Sequence, residues 1–149
     1  MKVSVIYDSL YGNTEKVAKA VAAAISDEVK VHQVTEANPA ELKSVDLLII
    51  GSPTQGGNVT RSLQTFMRNI PAESLKGTKV ATFDTRYGSF WVKIFGFAAG
   101  RIARYLKSKG AIIVGSPGGF IVTGSKGPLK EGELERAAAW AKSIVESKK

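Results

Sequence analysis

At 149 residues, 44% of them hydrophobic, the chain has the length of one ordinary domain and enough apolar material for a real core, which excludes wholesale disorder. It has no cysteine and one histidine, His32, which excludes disulfides, iron–sulfur clusters, thiolate chemistry and an ordinary zinc site. The net charge of +8, from 21 Lys and Arg against 13 Asp and Glu, invites a negatively charged partner: an acidic protein, nucleic acid or an anionic membrane.

Two periodicities alternate along the chain. Residues 3–7 form a β-branched apolar run that predicts a buried strand. A helix is expected over 14–25, where Val17, Ala18, Val21, Ala22 and Ile25 recur at three- and four-residue spacing. A second strand follows at 29–34, then a short helical turn at 38–43 opened by Asn38-Pro39. Residues 47–51, LLIIG, are apolar on both faces, as a central parallel strand requires. Helical spacing returns at 60–69 with Leu63, Phe66 and Met67 facing inward, and 79–83 predicts a fourth strand. A helix over about 95–109 ends at Gly110, a fifth strand at 111–115 resumes at 120–122, and a final helix covers 131–146. His32 falls in the second strand and reads as an ordinary strand residue.

Strands separated by helices give βαβ units and hence an α/β fold: a doubly wound, five-stranded parallel sheet with helices on both faces, in a single domain over 1–149. Ligands of such sheets bind beyond the carboxyl ends of the strands, near the switch point. Three loops at that end are unusual. After strand one comes Ser9-Leu10-Tyr11-Gly12-Asn13-Thr14, leading directly into a helix. Its hydroxyl and amide side chains, the freedom of Gly12 and the helix start suit an anion, or else form only a turn and an N-cap. It has neither the lysine of a nucleoside-triphosphate loop nor a GxGxxG pattern, so a single terminal phosphate fits best. After strand three comes Pro53-Thr54-Gln55-Gly56-Gly57-Asn58, and after strand four Asp84-Thr85-Arg86-Tyr87, continuing to Phe90 and Trp91. A phosphate cradle, a glycine-rich strip and an aromatic cluster together suit a flat heteroaromatic ring with a phosphate tail.

These motifs resemble the flavodoxin family over essentially the whole chain. The first loop matches its (S/T)-x-x-G-x-T phosphate motif, with alanine following at Ala18, and the element order is that of the short-chain members. The resemblance implies strand order 2-1-3-4-5, the order this fold exemplifies, and flavin mononucleotide (FMN) as cofactor. It places the phosphate on Ser9, Leu10, Tyr11, Gly12, Asn13 and Thr14. Pro53, Thr54, Gln55, Gly56, Gly57 and Asn58 line one edge of the ring, and Asp84, Thr85, Arg86, Tyr87 and Trp91 close over the other side. At Gly56 the family turns a peptide carbonyl toward flavin N5 on reduction, a movement that glycine eases. Gln55 stands where many members carry a bulky apolar residue, and Tyr87, Phe90 and Trp91 compete as the outer stacking side chain. Typical members are acidic, whereas this chain is basic, with Arg61 and Arg86 in or beside the flavin loops. That arrangement predicts a less reducing couple for the fully reduced, anionic flavin.

The function this implies is electron transfer between redox partner proteins, acidic ones by charge complementarity, with no catalytic residue and no metal. The alternative is an FMN-dependent NAD(P)H:quinone or flavin oxidoreductase on the same fold. Nucleic-acid binding has only the net charge behind it and is not expected. No apolar run approaches the ~20 residues that span a bilayer, and Asp8 breaks the N-terminal apolar stretch before any cleavage site. The sequence therefore reads as cytoplasmic, and as a monomer or weak dimer.

Overall fold

A computed structural model describes residues 1–55, 57–87 and 97–148, with the side chain of Lys148 excepted. Six strands form one sheet: β1 (Lys2–Tyr7), β2 (Glu28–Gln33), β3 (Leu47–Pro53), β4 (Lys79–Tyr87), β5 (Ile112–Ile113) and β6 (Gly118–Val122). All their pairings are parallel, in the order β2-β1-β3-β4-β5, with β6 also on β4. The helices are α1 (Asn13–Ala23), α2 (Arg61–Arg68), α3 (Ala98–Ser108) and α4 (Glu133–Lys148), with 3₁₀ turns at Val34–Glu36, Pro39–Ser44 and Ala72–Ser74. The expected topology is therefore present, with its fifth position shared by two short strands. β5 pairs with Lys79 and Val80, and β6 with Phe83 through Tyr87, so the two run end to end along one side of β4. Gly115 at φ 67 and Pro117 interrupt them.

The expected fourth strand stops at 83, but β4 continues to Tyr87 because β6 extends the ladder opposite it. Residues 84–87 are thus strand rather than loop, and alternate ones face opposite sides of the sheet.

β3 is the centre of the core. Leu48 and Ile50 pack on one side with Leu63, Phe66, Ile102 and Leu106 of α2 and α3. Leu47 and Ile49 pack on the other with Val17, Val21, Ala137, Ala141 and Ile144 of α1 and α4. All four β3 side chains are fully buried, which is why the segment reads as an unbroken apolar run. Gly51 ends that run for a steric reason: a Cβ there would sit 2.1 Å from Cζ of Phe83, whose ring occupies the space.

The start of α4 is fastened to β6 by Glu133, which accepts from the Ile121 amide at 2.6 Å and from Arg136 at 2.9 and 2.6 Å. Those Arg136 hydrogen bonds hold the Glu133 carboxyl below its ordinary range, burial opposing them. The ionised form is therefore favoured in the folded chain, and its contribution is present above the unfolded value of 4.5 and lost as pH falls through the lower folded value. Glu133→Gln is expected to cost about 1–3 kcal/mol at neutral pH in urea unfolding, with the gap to the unmodified chain closing in acid. No described helix is long and apolar enough to cross a membrane.

Candidate functional site

The carboxyl ends of β1, β3, β4 and β6 share one edge of the sheet, and residues at those ends and in the loops after β1, β3 and β6 line a cavity of about 370 Å³. That volume lies within the range of small-molecule sites. A hollow of about 160 Å³ also lies along β1 and β2, lined by His32 among others, away from these strand ends.

The loop between β1 and α1 supplies one end of the cavity. Gly12 takes φ 89, a conformation that costs a side-chain-bearing residue about 1–2 kcal/mol, and α1 begins at the next residue. The amides of Gly12 and Glu15 converge on a single oxygen, Oγ of Ser9, at 3.1 and 3.4 Å. Two amides meeting at one oxygen is the arrangement a phosphate oxygen requires, and the first-turn amides of α1 have no carbonyl one turn earlier to bind. Thr14 is buried, and its hydroxyl lies 2.8 Å from that of Thr85 on β4. Asn13 Nδ2 donates to the Lys126 carbonyl at 3.2 Å. Tyr7 Oη donates to Glu15 at 3.2 Å, tying the end of β1 to the first turn of α1; burial, with Glu15 beside it, pushes the Tyr7 phenol above its ordinary value.

Ser9, Leu10, Tyr11, Asn13 and Thr14 line the cavity, as do Pro53, Thr54, Gln55, Thr85 and Tyr87. Among the described residues its lining contains no Asp, Glu, Lys, Arg or His. Six large hydrophobic side chains are exposed among the described residues, and three of them stand here: Leu10 at 48%, Tyr11 at 53% and Tyr87 at 48%. Apolar exposure concentrated at the rim of a donor-lined cavity marks a place for a ligand with a flat apolar body. The residues present therefore fit a phosphate-bearing flavin.

Other expected site residues stand outside that lining. Gln55 and Asn58 exchange backbone hydrogen bonds of 2.9 Å each way, closing a tight turn in which Gly57 takes φ 81. Gly57 and Asn58 lie beyond the cavity wall, and Arg101 Nε donates to the Gly57 carbonyl at 2.5 Å. Thr54 anchors this loop, its amide donating to the Thr85 carbonyl at 2.8 Å and its hydroxyl accepting from the Ala98 amide at 3.0 Å. Asp84 and Arg86 sit on the opposite side of β4 from Thr85 and Tyr87, as strand alternation dictates. Arg86 donates to both Asp84 oxygens, at 2.6 and 2.8 Å, and its guanidinium lies 3.4 Å from the centroid of the Phe97 ring. Asp84 also accepts from the Ala99 amide at 2.9 Å, at the start of α3. Burial pushes the Asp84 carboxyl up, against the pull of Arg86. The Arg86 charge is thus answered by a carboxylate rather than directed at the cavity, which removes that residue from the argument for a less reducing flavin. Gly56, Phe90 and Trp91 lie outside the described residues.

The sequence reading missed the turn after β6. Val122 and Ser125 line the cavity, and Lys126 Nζ lies 5.9 Å from the centroid of the Tyr11 ring. Gly127, at φ 103, packs so closely on Asn13 that a Cβ would approach its side-chain amide to 2.6 Å. The available signal was the polar Ser125-Lys126-Gly127 run directly beyond a strand end.

Comparison with known proteins agrees with this geometry. The family model for flavodoxin matches residues 5–140. A flavodoxin of Klebsiella pneumoniae is 26% identical over 97% of this chain and 93% of its own length. Flavodoxin 1 of Escherichia coli K12 is 27% identical over 95% and 92%. Among solved structures, a flavodoxin from the domain Archaea superposes with a TM-score of 0.83 at 23% identity, covering 99% of both chains. Oxidised flavodoxin 2 of Bacillus cereus gives 0.82 at 25%, covering 98% of this chain and 99% of that one. The chain belongs to the flavodoxin family, the FMN-binding electron-transfer proteins.

Proposed function

We propose that the chain is a single FMN-binding domain acting as an electron carrier between proteins, with the FMN phosphate in the loop between β1 and α1 and the ring at the tyrosine rim. The observation that carries this reading is one cavity joining amides that converge on Ser9 to two half-exposed tyrosines. Bound FMN supplies the redox chemistry; the protein holds it and controls access to it. Thr14, Asn13 and the loop amides bind the phosphate with neutral donors. Tyr87 is the outer stacking residue among those described, and Pro53, Thr54 and Gln55 shape the wall beside it. The described lining offers neutral hydroxyl and amide groups and two tyrosines, which suit the holding of a cofactor. An exposed edge, rather than a closed substrate pocket, is what electron exchange with a protein needs.

The test is NAD(P)H oxidation by the FMN-loaded protein with a quinone acceptor. Negligible turnover is the expected result, and sustained turnover would favour the reductase reading instead.

Lys126 brings a cation to this end of the cavity, its Nζ 5.9 Å from the centroid of the Tyr11 ring. Lys126→Gln is expected to weaken FMN about threefold to tenfold at low salt and much less at high salt, because an exposed charge is screened. Riboflavin, which has no phosphate, should bind both forms alike. Fluorescence titrations of the two flavins at two salt concentrations check this.

A further inference from the structure

We propose that the face formed by α2 and α3 is the docking surface for an acidic protein partner, an assignment that rests on the electron-carrier reading above. The net positive charge of this chain is concentrated, because its acidic residues are unevenly placed. Between Asp46 and Glu131 only two acidic residues occur, Glu73 and Asp84, and the second is fully buried against Arg86. The other eleven of the 13 acidic residues lie outside that span. Helices α2 and α3 fall within it and cover the same side of the sheet. Arg61 and Arg68 of α2 and Arg101, Arg104 and Lys107 of α3 are all exposed, and neither helix carries an acidic residue.

Between the two helices runs a groove of about 190 Å³. Buried Val59 and Met67 contribute to it, with Arg68, Arg101 and Tyr105 alongside. An apolar strip among arginines and a tyrosine suits a protein surface that presents carboxylates around an apolar side chain. Nucleic acid would use the charge but leave the apolar strip unmatched. The groove also adjoins the cofactor cavity. Asn58 lines the groove, Gln55 lines the cavity, and their backbones exchange two hydrogen bonds. Arg101 reaches from the groove to the Gly57 carbonyl in the same turn. A partner seated on α2 and α3 therefore stands beside the flavin end of the molecule. One electron then leaves reduced FMN and reduces the partner's acceptor, with no bond made or broken between the proteins.

Ferricyanide and hexaammineruthenium(III), an anion and a cation that each accept one electron, test the charge of this face. The FMN-loaded protein is reduced anaerobically and mixed with each in a stopped-flow instrument over a range of salt. The ferricyanide rate is expected to fall as salt rises and the ruthenium rate to rise. Arg68→Glu with Arg104→Glu should slow ferricyanide about tenfold at low salt and reverse both salt trends. Lys30→Glu with Lys142→Glu changes net charge equally on β2 and α4, and should have a much smaller effect. Equal effects of the two pairs, or rates indifferent to salt, would overturn the assignment. Titration with poly-L-glutamate, followed by amide NMR shifts, should move resonances of α2 and α3; shifts confined to other elements would also overturn it. If the first pair abolished binding to a DNA duplex at physiological salt yet left ferricyanide rates unchanged, the face would be a nucleic-acid surface and the proposal wrong. Failure to retain FMN, visible in the absorbance spectrum before mixing, would instead count against the carrier reading, and the polyglutamate titration would still decide the docking face.

Discussion

Thr14→Val is expected to lower FMN affinity about ten- to hundredfold while leaving riboflavin affinity nearly unchanged. Thr14 is buried in the first turn of α1, lines the cavity and pairs its hydroxyl with that of Thr85 at 2.8 Å. Valine keeps the branched shape and removes only the polar atom, so the loss measures a hydrogen bond to the phosphate rather than packing. A hydrogen bond to a charged group contributes about 1.5–3 kcal/mol, and each 1.4 kcal/mol is a factor of ten in affinity. Thr14→Ser keeps the hydroxyl and should restore most of the binding. Titrating both flavins into the three proteins separates the effects. An equal loss for FMN and riboflavin would mean that Thr14 shapes the cavity and does not touch the phosphate.

Arg86→Met is expected to destabilise the fold by about 3–5 kcal/mol at neutral pH, the usual consequence of leaving one member of a buried ion pair alone. Asp84 is fully buried, and Arg86 meets both of its carboxylate oxygens. Burial already pushes the Asp84 carboxyl above its ordinary 3.8, with the Arg86 hydrogen bond and charge opposing that shift most strongly. Removing Arg86 frees the upward shift. Since a raised carboxyl favours the protonated folded form, the variant should lose stability as pH rises from the unfolded value through the folded one, and recover in acid. Replacing Asp84 by Asn in the same chain should restore much of the loss at neutral pH. Urea unfolding of the single and double variants at two pH values measures this. Loss of stability that ignores pH and persists in the double variant would place the role of Arg86 in its stacking on Phe97.

The strands and the turn from β1 into α1 were legible because their patterns are local. A β-branched apolar run followed by a small-polar loop and a helical repeat needs no knowledge of distant residues. The end of β4 was not legible for the opposite reason. Asp84 and Arg86 resemble loop residues until they are seen to neutralise each other within a strand, where the neighbouring strand makes room for them. A Cβ on Gly119 would lie 2.3 Å from Cζ of Arg86, and one on Gly118 would lie 2.9 Å from the Trp140 ring. The strand expected to resume at 120 therefore begins at Gly118, and both glycines are strand residues kept small by what faces them. Lys126 was illegible because its carbonyl meets Asn13 across 113 residues of sequence. Only the fold brings such positions together. The ten anticipated cavity-lining residues come from the loop after β1 and the first turn of α1, from the end of β3 and the loop after it, or from the alternate positions Thr85 and Tyr87; Val122 and Ser125 depend on β6 lying beside β4.

The central claim is that the cavity at the strand ends holds a flavin by its phosphate. Its most direct test is equilibrium titration of the protein with FMN and with riboflavin, followed by flavin fluorescence at fixed salt. The expected result is saturation at one FMN per chain, with riboflavin weaker by about tenfold or more, as the loss of several hydrogen bonds to a charged group requires. Equal affinity for the two flavins, or no saturable binding of FMN, would contradict it.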